Sequence, residues 1–290
     1  MYDIHSGGVT MNSLEIRNIT KRYDSFLLDN ISFDIPKGYI MGFIGENGAG
    51  KTTTIKSILN LINKDNGSVK VFDLDMDQHE LEIKKRIGFV SGDNFYPKRK
   101  IKDITSVYRR FFDDFDDTLY KEYLTKFNLN PEKKIDELSK GMKMKYSIAL
   151  ALSHNAELLI LDEPTSGLDP VARDGLLEVF QSIVETGERS ILFSTHITSD
   201  LEKCADYITF IQNGKIVESC AKDDLIDKYR IVNGTTDDLN SIKDKLVAYK
   251  VNSLGFNGLM MTKEVDEKMN VNIGQPSLDE IMIYYAEEVK

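Results

Sequence analysis

The sequence predicts an α/β fold with an antiparallel β wing and a small α+β appendage, and three observations carry that prediction. Short apolar runs bounded by turn residues recur over the first 220 residues, at 39–44, 86–90, 157–161 and 190–194, with helical patterns between them. Runs without strict alternation suit strands buried on both faces of a parallel sheet. Two earlier segments, 14–19 and 31–35, alternate apolar with polar residues, as half-solvated antiparallel strands do. Beyond about residue 222 the periodicity restarts in a different pattern.

The remaining elements follow in order. Residues 95–138 place Tyr108, Phe111, Phe112, Phe115, Leu119, Tyr123, Leu124 and Phe127 at separations of mostly three and four among many charges. That spacing predicts a helical subdomain, interrupted at Asn130-Pro131 and resumed towards Leu138. Its aromatic rings read as core, with one or two near Phe95-Tyr96 free to face a partner. Residues 207–211 and 215–217 flank Asn213-Gly214, a dipeptide that tolerates the positive φ angles of a tight hairpin. The appendage, 223–290, holds a strand at 229–232, a helix at 237–246, strands near 248–252 and 258–262, and a last helix at 278–288. Ser277 with Glu280 three residues on forms a capping box for that helix. Its stripe of Leu278, Ile281, Met282 and Tyr285 must pack on something.

Composition excludes several function classes. The 290 residues carry 37 Lys+Arg against 47 Asp+Glu, a net charge of −10, which argues against a general nucleic-acid or anionic-membrane binder. Cys204 and Cys220 lack metal-ligand spacing and read as thiols in a reducing compartment. The opening MYDIHSGGVT has no basic stretch followed by an apolar one, so no signal peptide is expected. No run of 18 apolar residues occurs, and any membrane contact is expected to go through another protein.

The chemistry starts at Gly45-Glu46-Asn47-Gly48-Ala49-Gly50-Lys51-Thr52-Thr53, which fits the P-loop pattern and follows an apolar strand. Its glycines let successive backbone N–H groups turn inward around a phosphate, and the following helix points its positive end at the same anion. Lys51 then neutralises the β and γ oxygens and Thr52 ligates Mg²⁺. A second apolar strand ends in Asp162-Glu163. Asp162 suits the Mg²⁺ shell, and Glu163 stands where it can polarise an attacking water. Alone, the pair would read as two solvated carboxylates at a strand end.

Three further segments change that reading: Leu138-Ser139-Lys140-Gly141-Met142, Ser166-Gly167-Leu168-Asp169, and His196 at the end of the next strand. With them the sequence resembles the ATP-binding subunits of ABC transporters over about residues 12–222. The resemblance implies a RecA-like P-loop NTPase core and makes Ser139 and Gly141 the signature loop, Asp169 part of the D-loop and His196 the switch histidine. Tyr23 resembles the aromatic that stacks on adenine. By itself, His196 would read as an ordinary histidine and Tyr23 as a packing residue. Two departures stand out. Lys140 and Met142 replace the usual Gly and Gln of the signature, and Gly92 stands where the Q-loop glutamine would be, leaving Asp93 or Asn94 as substitutes towards the metal.

The resemblance implies ATP and Mg²⁺ held between two head-to-tail ATPase subunits, as a homodimer or with a sibling. It also implies a separate permease and a place on the inner face of the cell membrane. The tail through Pro276-Ser277-Leu278 is similar to those of bacterial ABC-2-type exporters, and 86–170 resembles the branch handling antibiotics, bacteriocins and toxic peptides, phenol-soluble modulin exporters included. Two alternatives are a soluble ABC switch on ribosomes or DNA and a non-hydrolysing regulator. One P-loop, the acidity and the absence of a cysteine cluster weigh against the first, and Glu163 with His196 against the second.

Overall fold

The computed structural model describes residues 11–91, 98–266 and 269–288. The chain begins with β1 (Asn12–Arg22) and β2 (Leu27–Pro36), an antiparallel pair whose alternating burial matches the alternating sequence. A fully buried β3 (Ile40–Ile44) leads into α1 (Lys51–Ile58). Then come β4 (Asn66–Val71), β5 (Leu74–Asp75), α2 (Glu80–Arg86) and β6 (Ile87–Ser91). Arg86, expected to open the strand, instead closes α2, whose last turn is basic as the helix dipole favours.

Helices α3 (Ile101–Tyr108), α4 (Asp117–Lys126) and α5 (Lys140–Ser153) form the helical region. After it run β7 (Leu158–Asp162), α6 (Pro170–Val184), β8 (Ser190–Thr195), α7 (Thr198–Cys204), β9 (Tyr207–Gln212) and β10 (Lys215–Ala221). Last come α8 (Lys222–Lys228), β11 (Tyr229–Gly234), α9 (Thr236–Ile242), β12 (Leu246–Asn252), β13 (Gly255–Met261), β14 (Asn272–Gly274) and α10 (Leu278–Glu288). The helix expected over 237–246 stops at Ile242, because a single 3₁₀ turn passes the chain to β12 at Leu246.

Among the described residues the chain divides into two compact units. The first runs to His196 and takes in Tyr207–Ser219; the second comprises Ile197–Asp206 and everything from Cys220 on. In the first, a six-stranded sheet has the order β10-β9-β3-β8-β7-β6, with β3, β6, β7, β8 and β9 pairing in parallel. An antiparallel sheet, β2-β1-β4-β5, is the wing. Its β4 and β5 are too short and polar for apolar runs to mark them. The two sheets share a core that includes Leu14, Ile16, Ile35, Phe43, Ile55, Ile58 and Ile160, all buried. Asn213 and Gly214 both adopt positive φ, 48° and 76°, at the expected tight turn.

The helical region has its own polar lock. Thr105 Oγ1 bonds the Tyr120 and Tyr146 hydroxyls at 2.7 and 3.0 Å. At the far end of α5, His154 stacks on Phe112 at 3.9 Å, meets the Tyr108 hydroxyl through Nδ1 at 2.8 Å and the Ile87 carbonyl through Nε2 at 3.2 Å. The expected partner-facing ring positions, Phe95 and Tyr96, lie outside the described residues.

In the second unit the sheet order is β12-β13-β11-β14. Val232, Phe256 and Met260 pack with Leu239 and Ile242 of α9. Helix α10 contacts β12, β13 and α7, burying Leu278, Ile281 and Tyr284, and its capping box forms as expected, with Ser277 N–H donating to Glu280 Oε2 at 2.9 Å. Within α7, burial pushes the Cys204 thiol up to about 12, so it stays protonated.

Candidate functional site

The parallel sheet delivers the site residues to one edge. The P-loop follows β3, Asp162 ends β7 with Glu163 next, and His196 follows β8; Ser91, Asp162 and Ser194 lie in one register row across β6, β7 and β8. Open parallel sheets bind ligands outside the carboxyl ends of their strands.

The loop geometry explains its glycines. A Cβ on Gly45 would stand 2.3 Å from the Ile211 carbonyl oxygen, so only glycine fits between the two backbones. Gly48 and Gly50 take φ of 84° and 116°. Gly50 is the N-cap of α1 and gives it no side-chain cap, so the first-turn N–H groups have no side-chain acceptor there. Ile55 and Ile58 of α1, with Leu59 just after it, are buried. Glu46, Asn47 and Gly48 are exposed at the loop tip, and Ala49 is buried at its base.

Lys51 lies only 6 % exposed, with Nζ donating to the Gly45 and Glu46 carbonyls at 2.7 and 3.2 Å. The same ammonium is 3.3 Å from Glu163 Oε1, and His196 Nδ1 is 2.9 Å from Glu163 Oε2. Thr52 Oγ1 donates to Asp162 Oδ2 at 2.9 Å. Thr53 accepts from Ser57 through its carbonyl and is half-buried within α1. Lys51, Thr52, Asp162, Glu163 and His196 therefore form one connected group.

Ser194 belongs to that group although the sequence reading passed over it. Its hydroxyl donates to Asp162 Oδ1 at 2.6 Å and accepts the Glu163 N–H at 3.0 Å. The available signal was a hydroxyl directly after the apolar run Ile191-Leu192-Phe193, where burial demands a polar partner. Glu163 itself adopts φ of 51°, a left-handed backbone uncommon for a non-glycine residue. Its Oε1 is buried without a hydrogen-bond partner, facing only the Lys51 charge.

These donors suit a magnesium-nucleotide. A hydroxyl and a carboxylate oxygen in contact are hard ligands of the kind Mg²⁺ takes when phosphates and water supply the rest. Among the described residues no group of three His, Cys, Asp or Glu could hold a metal by itself. Asp93, expected to assist the metal, and Asn94 lie outside the described residues, as does Gly92.

A second group gathers at the paired starts of α5 and α6. Ser139 caps α5 by accepting the Met142 N–H at 3.2 Å, and Asp169 caps α6 by accepting from Val171 and Ala172, both at 3.0 Å. A Cβ on Gly141 would meet Ala172 and Leu168 at 3.5 and 3.8 Å, while the Lys140 ammonium lies over Gly167. The two loops thus touch within one chain. Tyr23 is 45 % exposed, its ring open to a stacking partner and Lys21 Nζ 5.7 Å from its centroid.

Comparison with known proteins agrees with this geometry. Residues 28–166 match the family described as ABC transporter. The chain is 34% identical over 216 residues to the bacitracin transport ATP-binding protein BcrA of Bacillus licheniformis, covering 73% of this chain and 71% of that protein. It is 33% identical over 221 residues to the Nod factor export ATP-binding protein I of Burkholderia lata, covering 74% and 72%. A solved ATP-binding subunit of an ABC transporter superposes with a TM-score of 0.65 at 26% identity, over 73% of this chain and 91% of that one. A chain with this sheet, this P-loop and these relatives belongs to the ABC transporter family as an ATP-binding subunit, and it is an ATPase.

Proposed function

We propose that this subunit hydrolyses MgATP between two head-to-tail copies, or with a sibling, to drive export through a separate permease at the inner face of the cell membrane. The observation that carries the reading is the convergence of Lys51, Thr52, Asp162, Glu163 and His196 on one spot at the sheet edge. When bound there, Mg²⁺ neutralises charge on the β and γ oxygens.

The chain's own groups do the rest. The P-loop amides and Lys51 hold the phosphates, Thr52 and Asp162 hold the metal shell, and Ser194 fixes the Asp162 carboxylate. Glu163 orients the attacking water and accepts its proton, while His196 fixes the Glu163 carboxylate and reaches the γ-phosphate. Ser139, Gly141 and Asp169 act on the second copy's nucleotide, which closes the face that a single P-loop leaves to solvent. Tyr23 stacks on the adenine ring.

The two relatives named above are named for bacitracin transport and Nod factor export. Cargoes so different support export by the family branch, with a drug, bacteriocin or amphipathic peptide of the phenol-soluble modulin type as the narrower reading here. No helix among the described residues is long and apolar enough to cross a membrane, which supports contact through a permease.

The test is fractionation with the neighbouring membrane protein. Membrane retention and ATPase stimulation only on its co-expression, with sensitivity to the cargo on its loss, are the expected results. Co-sedimentation with ribosomes or DNA instead would replace transport by a soluble switch.

A further inference from the structure

The loop joining β1 to β2 runs from Tyr23 to Phe26, and the Tyr23 N–H closes it on the Phe26 carbonyl at 2.8 Å. Asp65, directly before β4, grips the end of β1 that leads into this loop. Its N–H donates to the Thr20 carbonyl at 2.8 Å, its Oδ1 accepts from Lys21 Nζ at 2.8 Å, and its Oδ2 accepts the Arg22 N–H at 2.7 Å. The Lys21 and Arg22 bonds hold the Asp65 carboxyl below the usual carboxylate range, so both oxygens are ionised acceptors at neutral pH. Lys21, fixed in this way, lies over the Tyr23 ring. Across the loop, Phe26 is half-buried against the shared core, and a Cβ on Gly50 would stand 3.0 Å from its ring. The loop is therefore tied to the residue before β4 on one side and abuts the P-loop on the other.

We propose that Asp65 is a positioning residue for the nucleobase, acting through Lys21 and the Arg22 amide to hold the Tyr23 ring ready beside the P-loop. The proposal rests on the reading of Tyr23 as the adenine-stacking residue. Asp65 touches no part of the nucleotide in this scheme. A ring that is 45 % exposed on a hairpin loop loses freedom when a base stacks on it, and the Asp65 bonds remove part of that freedom beforehand. An exposed ion pair such as Lys21–Asp65 adds little to global stability, so its loss should show in binding and not in folding.

Calorimetry of the full-length chain with MgADP and with magnesium pyrophosphate separates base from phosphate. Tyr23→Ala should raise Kd for MgADP about tenfold. Asp65→Ala should raise it about fourfold, with Kd for pyrophosphate within about 1.5-fold of wild type. KM for ATP should rise in step, while kcat at saturating ATP stays within about 1.5-fold. Lys21→Met, which keeps the apolar stem, supplies a second variant if Asp65→Ala folds poorly and should follow the same pattern. Asp65→Ala added to Tyr23→Ala should weaken MgADP binding no further, since both act through one ring. Parental affinity for MgADP in both Asp65→Ala and Lys21→Met, an equal loss for pyrophosphate, a fall in kcat in place of the rise in KM, or an additive loss with Tyr23→Ala would each overturn the proposal. Parental MgADP binding by Tyr23→Ala would instead remove the stacking reading, and the proposal with it.

Discussion

His196 Nδ1 and Glu163 Oε2 stand 2.9 Å apart, joining the residues that follow β7 and β8 into one hydrogen-bonded pair. The opposite oxygen of the same carboxylate faces Lys51 at 3.3 Å. Glu163 is therefore held between a cation and an imidazole, which fixes the direction of its carboxyl group.

Glu163→Gln should leave ATP binding intact and reduce kcat by at least about a hundredfold, the lower end of the range for losing a positioned general base. ATP should then trap a dimer on gel filtration. Turnover at the parental rate would remove Glu163 from the water-activating role.

Ser194→Ala should act through the metal. The hydroxyl is the hydrogen-bond donor that orients Asp162 Oδ1, and loss of such outer support costs roughly 10–100-fold in metal affinity or activity. Titrating ATPase activity with Mg²⁺ should show half-saturation moving to higher concentration while the fold is retained. Unchanged half-saturation and rate would show that Asp162 needs no such support.

Two P-loop glycines should respond differently to alanine. At Gly45 the new methyl meets backbone, the Ile211 carbonyl at 2.3 Å, and the cost should be about 2 kcal/mol or more. At Gly48 no heavy atom lies within 4 Å, so the cost is backbone strain at φ of 84°, about 1 kcal/mol. Urea unfolding should rank Gly45→Ala well below Gly48→Ala. The latter should fold yet bind nucleotide more weakly, because its methyl enters the phosphate nest.

His154 gives the fold a pH dependence of known sign. Burial pushes its pKa from 6.5 down to about 4, against the upward pull of its backbone contacts. Below pH 6.5 the unfolded chain takes up a proton that the folded one refuses, so this residue lowers stability as pH falls from 6.5 towards 4. Between pH 7 and 5 the loss is about 2 kcal/mol. His154→Gln, which can still donate and accept, should flatten that part of the profile in urea unfolding at the two pH values. An unaltered slope would assign it to other groups.

The fold was legible because its elements announce themselves by period. Continuous apolar runs gave β3, β7 and β8, and alternation gave β1 and β2. The wing strands β4 and β5 were not legible, since a six-residue strand with two buried valines and a two-residue strand carry too few apolar positions to show a period. In the site, Lys51, Thr52, Asp162 and Glu163 were found because a phosphate nest and a strand-end acid pair have fixed local spacing. Ser194 was not, because it acts across strands far apart in sequence: it bonds Asp162. Nor does any periodicity say that α7, flanked by two strands of the main sheet, belongs with the C-terminal unit.

The left-handed backbone at Glu163 narrows what evolution or an engineer can place there. Glycine, asparagine and aspartate tolerate such a conformation best, yet none has the length to span from the lysine to the imidazole. A shorter acid would relax the chain and lose its reach, leaving a sturdier protein that works more slowly. Durability and speed are thus opposed at this one position, and a search for heat-resistant variants should meet sluggish ones here first.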